Sequence, residues 1–152
     1  MNKQLINIIL SYLKNEKAFC FTYGDGLANV DIAELIKFHD KHGKLATVTA
    51  VQPPGRYGAL NRENDLVTGF VEKPKGDGGW INGGFFVLNP EVISLIDGDA
   101  TLWEKGPLES LAELGQLQAY MHSGFWQPMD TLREKRDLEK FARLIVPPWL
   151  EN

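Results

Sequence analysis

The sequence predicts an α/β fold in which helices pack on a mainly parallel sheet and one antiparallel hairpin forms an excursion from it. Two apolar, β-rich runs at residues 18–23 and 45–51 enclose a segment with helical spacing, and this β-loop-α-β order favours parallel strands. A polar turn at residues 61–65 separates two further strand-like runs, which predicts the hairpin. The length of 152 residues predicts a single domain, 1–152.

Apolar spacing and turn residues place the elements of the first half of the chain. Leu5, Ile9 and Leu13 recur at helical spacing. The continuous apolar run that follows is typical of a strand buried on both faces. Asp31 with Glu34 fits an acidic variant of the capping box at the start of the next helix. The predicted elements are helix 3–14, strand 18–23, helix 31–42 ended by Gly43, strand 45–51 and hairpin strands 57–60 and 66–72.

Prolines, glycines and capping residues delimit the second half. Asn89 followed by Pro90 is typical of an N-cap with proline at the first helical position. Thr131 and Glu134 form a full capping-box pattern, whereas residues 124–130 show no period and are predicted to be irregular. The predicted elements are strand 82–88, helix 90–96, helix 107–114 ended by Gly115, strand 117–122 and a last helix from the Thr131 cap to about Ile145.

Composition and charge exclude several classes of protein. Sixteen Lys and Arg against twenty Asp and Glu give a formal net charge of −4, so neither nucleic acid nor an anionic membrane is an expected partner. Cys20 stands alone, which excludes an intramolecular disulfide. The start of the chain does not resemble a signal peptide, and a cytoplasmic protein is expected. The histidines His39, His42 and His122 lack the spacing of metal ligands and are predicted to be structural or exposed.

Two aspartates stand where α/β sheets bind their ligands. Asp25 follows a predicted buried strand and lies between glycines, which allow a ligand to approach the backbone closely. Asp130 precedes the last helix, whose dipole favours anions. Two carboxylates from different loops suit Mg²⁺, which takes one or two carboxylates together with substrate phosphates. The alternatives are a simple tight turn at residues 24–26 and an ordinary acidic residue beside the Thr131 cap.

Further candidate binding residues lie on loops and strand ends. Lys73 ends a predicted strand and is kept extended by Pro74, so its ammonium group is a candidate phosphate contact; the alternative is a solvated loop lysine. Glu72 beside it could accept hydrogen bonds from sugar hydroxyls. Trp126 lies close to the second aspartate in sequence and could line a pocket.

Five segments carry most of these features, in a fixed order along the chain. They are Phe21-Thr22-Tyr23-Gly24-Asp25-Gly26, Pro53-Pro54-Gly55-Arg56-Tyr57-Gly58-Ala59-Leu60, Glu72-Lys73-Pro74-Lys75-Gly76-Asp77-Gly78, Ile81-Asn82-Gly83-Gly84-Phe85-Phe86-Val87-Leu88 and Gly124-Phe125-Trp126-Gln127-Pro128-Met129-Asp130-Thr131. Together they resemble the sugar-nucleotide pyrophosphorylases, and among them most closely the glucose-1-phosphate cytidylyltransferases. The resemblance extends over nearly the whole chain from about residue 10.

The resemblance implies a mixed-sheet, Rossmann-like nucleotidyltransferase fold. It also implies a reaction in which a sugar 1-phosphate attacks the α-phosphate of a nucleoside triphosphate and releases pyrophosphate. The implied catalytic set is Asp25 and Asp130, which would hold Mg²⁺, and Lys73, which would bind the sugar phosphate. The implied hexose-binding residues are Gly58, Glu72, Asn82 and Gly83, with Tyr23 near the nucleotide; Trp126, from its position alone, completes the predicted substrate-binding set.

One feature of that family is missing from the sequence. The family begins with a strand and a glycine-rich Gly-Gly-x-Gly-Thr-Arg loop that grips the triphosphate, and no such segment occurs among these 152 residues. The resemblance therefore implies the C-terminal part of such an enzyme, a truncated domain that retains the sugar-phosphate half of the site. Because phosphoryl transfer relies on positioning and preorganised charge, this part alone is expected to be inactive or nearly so.

The missing segments also predict a homo-oligomer. Without them an apolar sheet edge and face are expected to be uncovered, and such surfaces pair with other chains; the helix Met1–Leu13 would help to cover them. Weak binding of a sugar phosphate or nucleotide sugar is expected. The alternatives are a module that binds nucleotide sugars or another protein, one half of a split enzyme completed by a second chain, and a folded relic that binds nothing.

Overall fold

The structure, a computed structural model, describes residues 10–53, 55, 58–72, 79–98 and 100–151. The chain divides into two compact units, which are described separately. Unit 1 comprises Met1–Thr22, Ile32–Thr49 and Gly84–Tyr120, and unit 2 comprises Tyr23–Asp31, Ala50–Gly83 and Met121–Asn152. The single domain 1–152 stays a prediction.

Most strands and helices lie where the sequence pattern predicts them. The strands are β1 (Phe19–Thr22), β2 (Gly26–Ala28), β3 (Ala46–Val51), β4 (Ala59–Glu63), β5 (Leu66–Val71), β6 (Ile81–Leu88), β7 (Leu117–His122) and β8 (Trp126–Pro128). The α-helices are α1 (Ile32–His42), α2 (Pro107–Glu113) and α3 (Leu132–Phe141), and 3₁₀-helices cover Pro90–Leu95 and Pro148–Leu150. Gly43 and Gly115, which follow α1 and α2, both have a positive φ, as the predicted helix ends require.

The main sheet has the strand order β1-β6-β3-β7, and parts of all four strands belong to unit 1. The sheet is mixed and flanked by helices, which confirms the predicted α/β class. Strand β1 runs antiparallel to β6, with Phe19 opposite Leu88 and Thr22 opposite Phe85. The apolar core of unit 1 consists of side chains from helices, the 3₁₀-helix and strands that are at most 5% exposed, namely Leu35, Ala46, Phe86, Val87, Leu88, Val92, Ile93 and Leu111.

Strand β1 corrects one prediction. It exists as predicted, but it is not buried on both faces, because Cys20, Phe21 and Thr22 are all exposed and the Phe21 side chain is 38% accessible. The reason lies in the strand order, which places β1 at an end of the sheet. A continuous apolar run is typical of a central strand, and β1 keeps that composition at an edge.

A buried polar cluster occupies part of the unit 1 interior. His39 is 3% exposed, its Nδ1 lies 2.8 Å from Thr47 Oγ1, and its Nε2 lies 2.8 Å from Asn89 Oδ1. His39 is therefore structural, as predicted. Asn89 does hold the N-cap position, but it makes no side-chain capping bond because its amide is engaged by His39. The helix predicted over residues 90–96 is a 3₁₀-helix, Pro90–Leu95.

Unit 2 contains two small antiparallel sheets and helix α3. Strands β4 and β5 form the predicted hairpin, although residues 61–63, expected in the turn, belong to β4. Strands β2 and β8 pair with each other. Both were missed by the sequence pattern, and the prediction that residues 124–130 are irregular is wrong at β8.

The capping box of α3 is confirmed. Thr131 Oγ1 accepts a hydrogen bond from the Glu134 backbone N–H at 3.2 Å, and Glu134 Oε2 accepts one from the Thr131 N–H at 2.9 Å. The helix ends at Phe141, before the predicted end near Ile145. At the start of the chain, residues 10–13 are helical, and the rest of the predicted helix 3–14 up to residue 9 lies outside the described residues. Within the described ranges, no helix is both long enough and apolar enough to cross a membrane.

Candidate functional site

The candidate site of unit 2 is organised by a short two-stranded ribbon, which consists of β2 (Gly26–Ala28) and β8 (Trp126–Pro128). Gly26 pairs with Pro128 and Ala28 with Trp126. Beyond the first pair, the Asp25 carbonyl oxygen accepts a hydrogen bond from the Met129 N–H at 2.8 Å. The ribbon therefore aligns the chain segments that carry the two predicted metal ligands.

Asp25 and Asp130 lie at the same end of the ribbon. Asp25 precedes β2 and is tied through its carbonyl to Met129, the neighbour of Asp130. Both aspartates are exposed to solvent. Asp130 also directly precedes Thr131, the N-cap of α3. Two residues more than 100 positions apart in sequence thus lie at the same end of the ribbon, and the joint role of their carboxylates stays a prediction.

Trp126 fixes the ribbon to a third segment. Its indole Nε1–H donates a hydrogen bond to the Gly83 carbonyl at 2.8 Å. Gly26 lies next to both atoms of this hydrogen bond: a Cβ added there would be 3.8 Å from Trp126 Nε1 and 3.9 Å from the Gly83 oxygen. The indole is therefore engaged as a donor to the backbone, and it brings the predicted hexose-binding residue Gly83 beside the ribbon.

Tyr23 and Asn82 form a second polar contact next to this one. The Asn82 amide Nδ2 donates a hydrogen bond to the Tyr23 hydroxyl oxygen at 3.1 Å. Asn82 precedes Gly83, and Tyr23 lies two residues before Asp25. Hydrogen bonds and chain connectivity thus join six of the predicted site residues: Tyr23, Asp25, Asn82, Gly83, Trp126 and Asp130.

Gly58 and Glu72 form a separate pair at the base of the β4–β5 hairpin. A Cβ added at Gly58 would come within 2.6 Å of Phe70 Cε2 and within 3.3 Å of Glu72 Oε2. A side chain at position 58 would therefore require the exposed Phe70 ring to move, and the exposed Glu72 carboxylate lies beside it. The third predicted catalytic residue, Lys73, lies outside the described residues.

The donor set at the ribbon end fits Mg²⁺. In the part of the chain that the structure describes, no group of three or more His, Cys, Asp or Glu side chains forms a metal cluster. The end of the ribbon offers two exposed carboxylates, those of Asp25 and Asp130. Mg²⁺ is held by one or two carboxylates and completes its octahedron with water and phosphate oxygens.

Sequence reasoning missed the residue that closes the other end of the ribbon, Asn29. Its backbone N–H donates to the Phe125 carbonyl at 3.1 Å, and its side-chain Oδ1 accepts from the Phe125 N–H at 2.7 Å. The signal available in the sequence was weak, because β2 and β8 have three residues each and strand alternation needs four or more to be recognised.

Comparison with known proteins identifies relatives of the chain. A family model described as nucleotidyl transferase matches residues 4–127. A glucose-1-phosphate cytidylyltransferase of Salmonella typhi is 58% identical over 141 residues, which cover 93% of this chain and 55% of that protein. A probable glucose-1-phosphate cytidylyltransferase of Bacillus subtilis (strain 168) is 41% identical over 126 residues, 82% of this chain and 49% of that protein. The chain spans about half the length of the curated relatives it matches.

The fold is also similar to that of a solved structure. A putative glucose-1-phosphate thymidylyltransferase from Bacillus anthracis, crystallised with a sucrose, superposes with a TM-score of 0.64 at 18% sequence identity. The match covers 94% of this chain and 61% of that one. At this level of identity the similarity establishes the fold alone.

Proposed function

Because the chain belongs to the nucleotidyl transferase family, we propose that its 152 residues provide the sugar-phosphate and magnesium half of a glucose-1-phosphate cytidylyltransferase site. In this proposal Asp25 and Asp130 hold the metal ion, Lys73 contacts the sugar phosphate, and the remaining predicted residues surround the hexose and nucleotide. Nucleotidyl transfer then needs a glycine-rich triphosphate loop that these residues do not contain.

The observation that carries the proposal is the 2.8 Å hydrogen bond from the Met129 N–H to the Asp25 carbonyl. It aligns two sequence-distant segments so that Asp25 and Asp130 share one exposed end of the ribbon. A pair of accessible carboxylates is the protein contribution that Mg²⁺ takes when phosphate oxygens complete its coordination. The identity of 58% to a Salmonella cytidylyltransferase supports glucose 1-phosphate and a cytidine nucleotide as the substrate class.

Each side chain has a definite task in this arrangement. The two carboxylates orient the metal, which when bound supplies counter-charge to the phosphate oxygens. The Asn82 amide and Glu72 carboxylate offer a donor and acceptors to sugar hydroxyls, and Gly58 and Gly83 leave room for a hexose ring close to the backbone. The Trp126 indole holds Gly83 in place through its carbonyl.

The same proposal explains why we expect little or no turnover from this chain by itself. Phosphoryl transfer is accelerated by positioning and by preorganised positive charge around the triphosphate. The sequence has no Gly-Gly-x-Gly-Thr-Arg segment to supply that charge. A second chain carrying such a loop would complete the site, which is the split-enzyme form of the proposal.

Calorimetric titration with glucose 1-phosphate in the presence of Mg²⁺ tests the binding half. We expect weak, saturable binding that Asp25→Asn and Asp130→Asn each reduce by about 10-fold or more, because each removes a metal ligand without changing shape. Asp137→Asn is the matched control. It neutralises another exposed carboxylate of unit 2, one that pairs with Lys140 on α3, and should leave the affinity unchanged.

Two results would contradict the proposal. The absence of binding to glucose 1-phosphate and CDP-glucose at millimolar concentration would favour a relic or a protein-interaction module. Formation of CDP-glucose from CTP and glucose 1-phosphate at an enzyme-like rate by this chain alone would show that no further segment is needed.

Self-association is the second part of the proposal. Strand β1 ends the sheet with Cys20, Phe21 and Thr22 exposed, and apolar edge strands are sites where chains pair. We expect a homodimer or higher oligomer at micromolar concentration in light scattering, and Phe21→Glu, which places charge on that edge, should shift it toward monomer. A wild-type monomer under these conditions would refute self-association and leave the binding test intact.

A further inference from the structure

Asn29 makes hydrogen bonds to both polar backbone groups of Phe125, the residue directly before β8. Its own N–H donates to the Phe125 carbonyl at 3.1 Å, and its Oδ1 accepts from the Phe125 N–H at 2.7 Å. Its Nδ2 donates to the Glu151 carbonyl at 2.8 Å. Since an N–H only donates and a carbonyl only accepts, these partners fix the orientation of the amide. Every polar group of the side chain is thus used to organise backbone.

The surroundings of Phe125 are shaped to admit this contact. A Cβ added at Gly124 would collide with Asn29 Oδ1 and lie 2.6 Å from His122 Cε1, so the Asn29 amide and the imidazole occupy the space that a side chain would need. His122 Nε2–H donates to the same Phe125 carbonyl at 3.1 Å. Glycine at 124 is therefore required by close approach, and three donors or acceptors converge on the Phe125 backbone.

The ribbon needs such a clamp because its pairing is intrinsically weak. It has three residues on each strand, and its pairs alternate between hydrogen-bonded and non-hydrogen-bonded, so few ladder hydrogen bonds hold it together. Isolated two-stranded ribbons are marginal in water even when they are longer. The contacts of Asn29 with Phe125 close one end of the ribbon, and the Met129–Asp25 bond closes the end that carries the aspartates.

We propose that Asn29 is a positioning residue that sets the register of the ribbon and thereby places Asp25 beside Asp130. Asn29 is four residues from Asp25, a span of about 13 Å when extended, so it acts on the aspartate through the backbone. The positioning of the aspartates deepens the proposed function and, for its effect on ligand binding, rests on it. The effect on register rests on the hydrogen bonds alone.

The test compares amide hydrogen exchange with ligand binding in Asn29→Ala and Asn29→Asp. Exchange of the Met129 N–H reports the bond to Asp25 directly. We expect Asn29→Ala to accelerate it by at least about 10-fold and to weaken binding of Mn²⁺ with glucose 1-phosphate by a similar factor. Asn29→Asp keeps the acceptor for the Phe125 N–H, and it replaces the donor to Glu151 with an oxygen from which the exposed Glu151 carbonyl must move away. Because the contact with Phe125 is retained, both readouts should stay within about 3-fold of wild type.

A control separates positioning from general loss of stability. Val92→Ala removes buried volume in unit 1, where Val92 is 1% exposed, and should lower the melting temperature without selectively accelerating Met129 exchange or weakening Mn²⁺ binding. Gly124→Ala provides a second route, since it displaces the Asn29 amide and should reproduce the Met129 effect even if Asn29→Ala fails to fold.

The outcomes distinguish this inference from the proposed function. Unchanged exchange of the Met129 N–H in Asn29→Ala overturns the inference; where that variant does not fold, the same result in Gly124→Ala does so. An effect of Asn29→Asp as large as that of Asn29→Ala also overturns it, because the hydrogen bond to the Glu151 carbonyl would then carry the role. If the wild type binds no ligand, the proposed function fails, and Met129 exchange decides the role of Asn29 by itself. If ligand binds equally to wild type and Asn29→Ala, the positioning role is refuted.

Discussion

The scaffold of unit 1 and the candidate site of unit 2 are stabilised in different ways. In unit 1, the strand and helix residues that carry the fold are buried apolar side chains, and Phe86, Leu35 and Leu111 are at most 1% exposed. In unit 2, the site is held by individual hydrogen bonds to backbone groups, and the neighbouring hairpin leaves Leu60, Leu66 and Phe70 more than half exposed. The scaffold therefore depends on buried apolar area, and the site depends on hydrogen bonds.

This difference has consequences for energy and for mutation. Burial of one large apolar side chain stabilises a fold by about 1.5–3 kcal/mol, whereas a typical hydrogen bond contributes about 0.5–1.5 kcal/mol. Loss of a core side chain in unit 1 should therefore affect the free energy of unfolding strongly. Loss of a single donor in unit 2 should cost less stability and should change the geometry of the site.

The largest effect is expected for Phe86→Ala. Phe86 is 1% exposed and its ring contacts Phe21 and Trp103, with centroids 5.6 and 5.7 Å away. Truncation creates a cavity in the unit 1 core and should lower the free energy of unfolding by about 3–5 kcal/mol, measured by urea denaturation. Phe86→Leu retains most of the volume and should lose much less. A loss below about 1 kcal/mol for alanine would show that the core does not depend on this ring.

A smaller effect on stability, with a larger relative effect on the site, is expected for Trp126→Phe. The variant removes the indole donor to the Gly83 carbonyl and keeps an aromatic ring, so the free energy of unfolding should fall by about 1 kcal/mol. The affinity for glucose 1-phosphate should fall several-fold as Gly83 is released. Trp149→Phe makes the same replacement beside Phe125 in unit 2 and should preserve that affinity. If Trp126→Phe and Trp149→Phe bind glucose 1-phosphate with equal affinity, Trp126 has no role in ligand binding.

The sequence predicts the unit 1 scaffold well because burial of one face of a helix or strand makes apolar residues recur at regular spacing. The spacing in α1 and the apolar runs of β3 and β6 mark elements that the structure confirms. The burial of β1 was predicted wrongly, because composition records that a strand is apolar and does not record how many neighbours it has. The sequence pattern also extends the last helix to about Ile145, whereas α3 ends at Phe141.

The candidate site was predictable by residue type and position, and its construction was not. Asp25, Asp130 and Trp126 follow from their places after strands and before a helix. The ribbon that joins them could not be predicted, because three-residue strands carry no periodic signal. Asn29 was missed since its role depends on Phe125, 96 positions away, and on the space left by Gly124.

The buried polar cluster of unit 1 extends to His42, and the donor and acceptor of each of its hydrogen bonds can be assigned. The Lys44 N–H donates to His42 Nδ1 at 2.9 Å, so in the neutral ring His42 Nε2 carries the proton and donates to Thr47 Oγ1 at 2.7 Å. Asn89 Oδ1 accepts from His39 Nε2–H, which leaves His39 Nδ1 to accept from the Thr47 hydroxyl at 2.8 Å. These assignments give every donor an acceptor, and an added proton on His42 Nδ1 would meet the Lys44 N–H.

The smallest expected effect is a pH dependence that arises from this cluster. Burial lowers the pKa of His42, and His39 and Lys44 act in the same direction. The unfolded chain, whose His42 pKa is near 6.5, therefore binds more protons than the folded one as pH falls, so the free energy of unfolding decreases below about pH 6.5 until the lowered pKa is passed. The melting temperature should be lower at about pH 5.5 than at about pH 7.5. His42→Gln should flatten this difference, and an equal pH dependence in wild type and variant would show that the titrating group lies elsewhere. The change is expected to be small because His42 is only partly buried and water screens its charge.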